Sequence, residues 1–190
     1  MEATIKKTRT VNGVDINRLH GTIQAVQANP ALADFYFRAE NQWIDCGHNR
    51  STIQNFYGAG QEDTSRKKPF VMDNDEPDVL LGSDNGANPV EYVLHALAGC
   101  LTTTLVYHAA ARGIKVESVS STYEGYLDLR GFLGLDPNVP RGYQHIKVTF
   151  DIKGDLTQAQ KQELIELGQQ FSPVYGTVTN PVKVEVSLAA

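Results

Sequence analysis

The sequence predicts an α+β fold. Three observations carry that expectation. An apolar, helix-length run extends from Val90 to Ala111, alternating β-branched and aromatic stretches lie on both sides of it, and a second capped helical pattern follows near the C-terminus.

In chain order, Ile16, Leu19, Ile23 and Val26 recur at helical spacing between Asp15 and Ala28, and Asn29-Pro30 stops the pattern. The composition of Phe35 to Ile44 and of Ser51 to Tyr57 predicts two strands, with the polar stretch Cys46 to Arg50 turning between them. Small and charged residues from Gly58 to Lys68 read as a loop. Four acids between Asp73 and Asp78 precede Val79-Leu80-Leu81, a short apolar run that reads as an edge strand.

The sharpest local signal comes next. Asn88 can cap a helix, Pro89 fits its first position, and Glu91 stands three residues after the cap, as in a capping box. The helix should run to Arg112 and stop at Gly113. Because its apolar residues surround the axis, it reads as a central helix buried on all faces. Ile114 to Leu129 and Tyr143 to Lys153 then read as neighbouring strands, with the Gly- and Pro-rich stretch Gly131 to Gly142 as the loop between them. Leu156 to about Gln170 reads as a helix with Thr157 and Gln160 as its capping pair. Ser172-Pro173 opens a further short helix, and Val182 to Leu188 alternates as a final strand.

Composition bounds the function. With 190 residues, 41% hydrophobic and 21% charged, the chain suits one globular domain. A net charge of −5 argues against nucleic acid and anionic membrane as partners. Met1 to Val14 is polar and lacks the apolar core of a secretory signal, which places the protein in the cytoplasm. The run Val90 to Ala111 approaches membrane-spanning length but contains Glu91, two histidines and three threonines, so a buried core helix explains it better. Two cysteines, Cys46 and Cys100, without a CxxC pair or repeated Cys/His spacing, exclude a disulfide framework and a zinc module.

Cys100 sits near the middle of the apolar helix. The plain reading of a free cysteine there is an inert small hydrophobe. Nucleophilic chemistry needs a thiolate, and hence a cation or a helix N-terminus nearby. The helical neighbours Ala96, Leu97, Thr103 and Thr104 supply neither, so an activating charge has to come from another segment.

The stretch Asn88-Pro89-Val90-Glu91-Tyr92-Val93-Leu94-His95-Ala96-Leu97-Ala98-Gly99-Cys100 resembles the signature of the OsmC/Ohr family. The resemblance continues through Val106 to Ile114, Ser172-Pro173-Val174 and Pro181-Val182-Lys183-Val184, covering roughly Ala39 to Ala190. It implies one OsmC-like domain over residues 1–190, with residues 1–30 as an N-terminal helical extension and 35–190 as the core. It further implies antiparallel sheets around buried central helices in an intertwined homodimer, with active sites at the subunit interface. In the peroxidases of that family a helix cysteine attacks the O–O bond, an arginine and a glutamate activate it, and a second cysteine resolves the sulfenic acid. By this likeness Cys100 is the nucleophile, Arg50 the activating cation and Glu91 the acid that orients it. His48 competes for the role of cation.

Two departures stand out. Val90 holds the place directly after Asn-Pro where the family acid usually stands, and Glu91 is one step on, ~13 Å along a straight helix from Cys100. Ser172 holds the place of the second family cysteine and cannot form a disulfide; Cys46 is the alternative thiol. Asp45, Cys46 and His48 offer too few ligands for a metal. His95 and His108 read as packed rather than catalytic. The expected function is thiol-dependent reduction of organic hydroperoxides or related electrophiles, in stress or redox protection, with a thiol as reductant and no metal or nucleotide cofactor. The alternative is a non-catalytic small-molecule-binding dimer in which Cys100 is inert.

Overall fold

The computed structural model describes residues 9–189. They form two compact units: residues 15–93 together with Arg9, and residues 94–189 together with Thr10–Val14. A mixed α+β architecture with antiparallel sheets results.

In the first unit, α1 (Ile16–Ala28) is capped by Asp15, whose carboxylate accepts from the backbone N–H groups of Asn17 and Arg18 at 2.9 and 3.1 Å. Six short strands follow: β3 (Tyr36–Phe37), β4 (Glu40–Asp45), β5 (His48–Ile53), β6 (Phe56–Gly58), β7 (Gln61–Asp63) and β8 (Phe70–Asn74). The two long strands expected from composition each break in the middle. The break has a topological cause: β3 pairs with β6 in the sheet β3-β6-β7, whereas β4 pairs with β5 in the sheet β4-β5-β8. The expected loop 58–68 contains β7, and β8 was not expected at all.

Val79 to Leu81 is not an edge strand. Asp78–Leu80 forms a 3₁₀ turn that ends with Leu81 in the left-handed region, at φ 67°. Asp75 is the reason. Its buried carboxylate draws in the backbone N–H groups of Glu76, Ser83 and Asn85, and a side chain that captures local donors competes with a ladder.

The helix α2 (Pro89–Ala111) starts in the first unit and continues into the second. In the second unit β9 (Ser118–Tyr126) and β10 (His145–Lys153) form a regular antiparallel pair, from Ser118 opposite Lys153 to Tyr126 opposite His145. The short helix α3 (Leu129–Phe132) lies in the connection between them, its start capped by Asp128. The expected capping box opens α4 (Gln158–Phe171): Thr157 Oγ1 accepts from the Gln160 N–H while the Gln160 side chain accepts from the Thr157 N–H. The helix α5 (Pro173–Thr179) follows directly. The core joins Leu105 and Ala109 of α2, Ile152 of β10, and Leu164 and Leu167 of α4.

This core covers one side of α2. Leu97, Leu101, Leu105, Ala109 and Ala110 are buried, but Ala96, Gly99, Thr103 and Tyr107 stay exposed, so a single chain does not bury the helix on all faces as expected. By length and composition alone α2 could cross a membrane. Its buried residues Leu105 and Ala109 pack against α4 and β10. The alternating tail Val182 to Leu188 is no strand either. Val184, Val186 and Leu188 are 78, 92 and 97% exposed, and alternation without a neighbouring strand makes no ladder.

Residues 10–14 belong to the second unit, through Asn12. Together with Gly13 (φ 79°), Asn12 (φ 50°) makes the tight turn between β1 (Thr10–Val11) and β2 (Val14–Asp15). Its side chain donates to Ile114 O at 2.9 Å and accepts from Val116 N at 3.0 Å, and Val11 beside it is buried. Asn12→Ala leaves both backbone groups without that partner and should cost about 1–3 kcal/mol in urea unfolding. Asn138→Ala, at an exposed loop, should stay within about 0.5 kcal/mol of wild type.

Candidate functional site

The first unit contains a hairpin tip and the strand beside it. At the tip Cys46 adopts φ 46°, its carbonyl accepts from Trp43 Nε1 at 3.0 Å, and its thiol donates to Leu81 O at 3.1 Å. The register of β5 on β8 sets Arg50 directly opposite Asp73. Arg50 grips that carboxylate side-on, Nε to Oδ1 at 2.9 Å and Nη2 to Oδ2 at 3.1 Å. His48, two residues along the same strand face, places Nε2 at 2.9 Å from the same Oδ1. An ionised carboxylate can only accept, so Nε2 carries the proton and donates.

These contacts hold the Asp73 carboxyl below its ordinary range, first through the hydrogen bond from Arg50 and then through that from His48. In return, Asp73 raises the Arg50 pKa. The Asp73 main chain is fixed as well. Its carbonyl accepts from Tyr92 Oη at 2.9 Å, and Gly86 lies so close that an added Cβ would stand 2.1 Å from that oxygen.

Where α2 begins, Asn88 Oδ1 accepts from the Val90 N–H at 2.9 Å, and Glu91 Oε2 accepts from the Asn88 N–H at 2.9 Å. Glu91 thus acts as the capping-box acid, and the Glu76 carboxylate accepts from Asn88 Nδ2. Arg50 and Glu91 are both in the first unit, and the carboxylate hydrogen-bonded to Arg50 is Asp73. Sequence reasoning missed Asp73. The available signal was its place at the end of the β-branched and apolar run Phe70-Val71-Met72.

In the second unit Cys100 is a free, half-buried thiol on α2, between buried Leu97 and Leu101 along the helix and next to exposed Gly99. It is not sealed in the core. Ser172 is buried at the junction of α4 and α5, where its hydroxyl accepts from the Tyr175 N–H at 3.1 Å. This serine is a helix cap. His108 stacks on Phe171 with ring centres 4.5 Å apart, and Arg112 Nη1 lies 3.2 Å from its Nδ1. Burial, and then the Arg112 charge, lower its pKa. Among the described residues no group of three His, Cys, Asp or Glu side chains is arranged to hold a metal ion.

Residues 82–187 match the family model described as OsmC-like protein. The chain belongs to the OsmC-like family. Solved structures share its fold. An OsmC-like protein from Mycoplasma pneumoniae superposes with a TM-score of 0.59 at 14% identity, covering 76% of this chain and 88% of the other. Organic hydroperoxide resistance proteins from Elizabethkingia anophelis (TM-score 0.54, 17% identity, 76% and 89% covered) and Legionella pneumophila (0.53, 20%, 75% and 88%) are similar. None of the curated proteins matches the chain. Proteins of the OsmC-like family are commonly dimers.

Asp75 makes the local chemistry measurable. Donors from Asn85, Glu76 and Ser83 hold its carboxyl at about 2, against an ordinary 3.8. A depressed carboxyl stabilises the fold fully above its unfolded value and loses that contribution as pH falls through the folded one. The urea midpoint of the wild type should therefore drop between about pH 4 and pH 2 by more than that of Asp75→Asn, which should already be less stable at pH 7.

Proposed function

We propose that this protein acts in stress or redox protection by reducing organic hydroperoxides, or related soft electrophiles, through Cys100. The observation that carries this reading is the half-buried, unsealed thiol of Cys100, inside the stretch that matches the OsmC-like family. The organic hydroperoxide resistance proteins that share the fold favour the same chemistry.

In the proposed reaction the Cys100 thiolate attacks the terminal peroxide oxygen. An S–O bond forms, the O–O bond breaks, and the alkoxide takes up a proton and leaves as the alcohol. Cys100 becomes a sulfenic acid. Arg50 supplies the cation that favours the thiolate and steadies the developing negative charge, and Glu91 acts through the start of α2. Ser172 cannot resolve the sulfenic acid, so two external thiols, small or protein-borne, return Cys100 to the thiol and leave as a disulfide. The exposed face of α2, with Ala96, Gly99, Thr103 and Tyr107, would be covered by a second copy of the chain in a cytoplasmic homodimer.

A short pulse of tert-butyl hydroperoxide with a sulfenic-acid trap should label Cys100, seen by mass spectrometry, and Cys100→Ser should abolish the label. Arg50→Ala should slow labelling roughly 10-fold or more by removing the cation that favours the thiolate. An unmodified Cys100 at peroxide concentrations that oxidise free thiols would leave the non-catalytic binding reading in its place. Light scattering at micromolar concentration should give a dimer mass, and a folded monomer would refute the assembly.

A further inference from the structure

We infer that Asn85-Gly86 is a site of spontaneous covalent modification, where the Gly86 nitrogen attacks the Asn85 side chain and the product unlocks the loop around Asp75. The inference is independent of the chemistry proposed for Cys100.

The sequence holds two Asn-Gly pairs, Asn12-Gly13 and Asn85-Gly86. Asparagine is a chemically labile residue, and a following glycine favours its deamidation, because without a Cβ the glycine nitrogen can swing onto the preceding side-chain carbonyl carbon. A C–N bond forms and closes a five-membered succinimide, the bond to Nδ2 breaks, and ammonia leaves with the proton of the glycine N–H. Water then opens the ring at either carbonyl, giving aspartate or isoaspartate. The reaction consumes only water.

The fold treats the two pairs differently. Both amide atoms of Asn12 are held by backbone, Nδ2 donating to Ile114 O at 2.9 Å and Oδ1 accepting from Val116 N at 3.0 Å, and the residue is half-buried. Attack there has to break both contacts. Asn85 is exposed, and its side chain is held through Nδ2 alone, which donates to Asp75 Oδ2 at 2.7 Å. Among the described residues nothing donates to its Oδ1 and nothing accepts from the Gly86 N–H. Local opening of this loop therefore frees the electrophile, and the nucleophile is already unbonded.

The product does not fit where the reactant stood. Asp75 is 1% exposed and stays ionised because the Asn85 amide and the backbone N–H groups of Glu76, Ser83 and Asn85 surround it. Deamidation replaces the amide donor by a carboxylate, which can only accept, against an anion that no described cation faces. Isoaspartate adds a second conflict by lengthening the main chain before Gly86, which is packed so closely that an added Cβ would stand 2.1 Å from Asp73 O. Either product opens the loop that leads into the α2 cap.

The test ages the full-length protein in mildly alkaline buffer and follows the two Asn-Gly peptides by mass spectrometry, with isoaspartate separated by its elution. In the folded protein Asn85 should convert roughly 10-fold or more faster than Asn12, whose two contacts shield it. In urea the two rates should converge. The aged fraction should show the lowered urea midpoint of Asn85→Asp, which carries the carboxylate from the start. Asn85→Gln, which keeps an amide but closes a ring only slowly, should age without that loss. If neither variant folds, the wild-type rates and the midpoint of the aged wild type carry the test. Equal rates at Asn12 and Asn85 in the folded protein, an intact Asn85 after the urea-unfolded reference has fully converted, or conversion with an unchanged urea midpoint overturns the inference.

Discussion

Asp75 is buried and anionic, and a buried carboxylate is tolerated only where enough donors surround it. Much of the local geometry follows from that requirement. To supply backbone N–H groups from Glu76, Ser83 and Asn85, and the Asn85 side chain, the chain has to curl into a closed loop directly after β8. The loop delivers Asn88 to the start of α2 and Glu76 to the Asn88 amide. It also sets Gly86 against Asp73, whose side chain faces Arg50. One solvation demand thus organises a helix cap and a charged cluster.

The second unit is held by different forces. Its core is aliphatic, with Leu105 and Leu164 fully enclosed, and its polar work is done mainly at helix ends. Gly168 brings α4 close to α2, with an added Cβ at ordinary contact distance from Leu101 O. Cys100 sits one residue before Leu101 and is half-buried. The proposed chemistry asks for a thiol that is both fixed and accessible, and a half-buried position on a long helix is compatible with both.

Signals confined to a few consecutive residues were legible in the sequence. Asn88-Pro89 with Glu91, Thr157 with Gln160, and Ser172-Pro173 each encode a helix start in local hydrogen bonds, and each forms as read. The Asn12-Gly13 turn carries an equally local signature. Strands were read less well, because their limits depend on partners far away in sequence. The split between β3 and β4 exists because two sheets claim the two halves, and Val182 to Leu188 has the alternation of a strand without a strand beside it. The same reason hid Asp73. Its pairing with Arg50 spans 23 residues and is created by the β5–β8 register.

Ser172 stands where the family resemblance expects a resolving cysteine, and its role as a cap bears on what that position can hold. A thiol is a weak hydrogen-bond acceptor, so restoring cysteine there would weaken the start of α5 at a buried junction, on the order of 1 kcal/mol. The serine thus serves the fold directly, as the cap of α5. A cysteine at this position would therefore carry a cost in stability as well as a change in chemistry. On the proposed chemistry, a sulfenic acid at Cys100 would then meet a thiol other than residue 172, and the surface that admits this thiol would shape the rate of turnover.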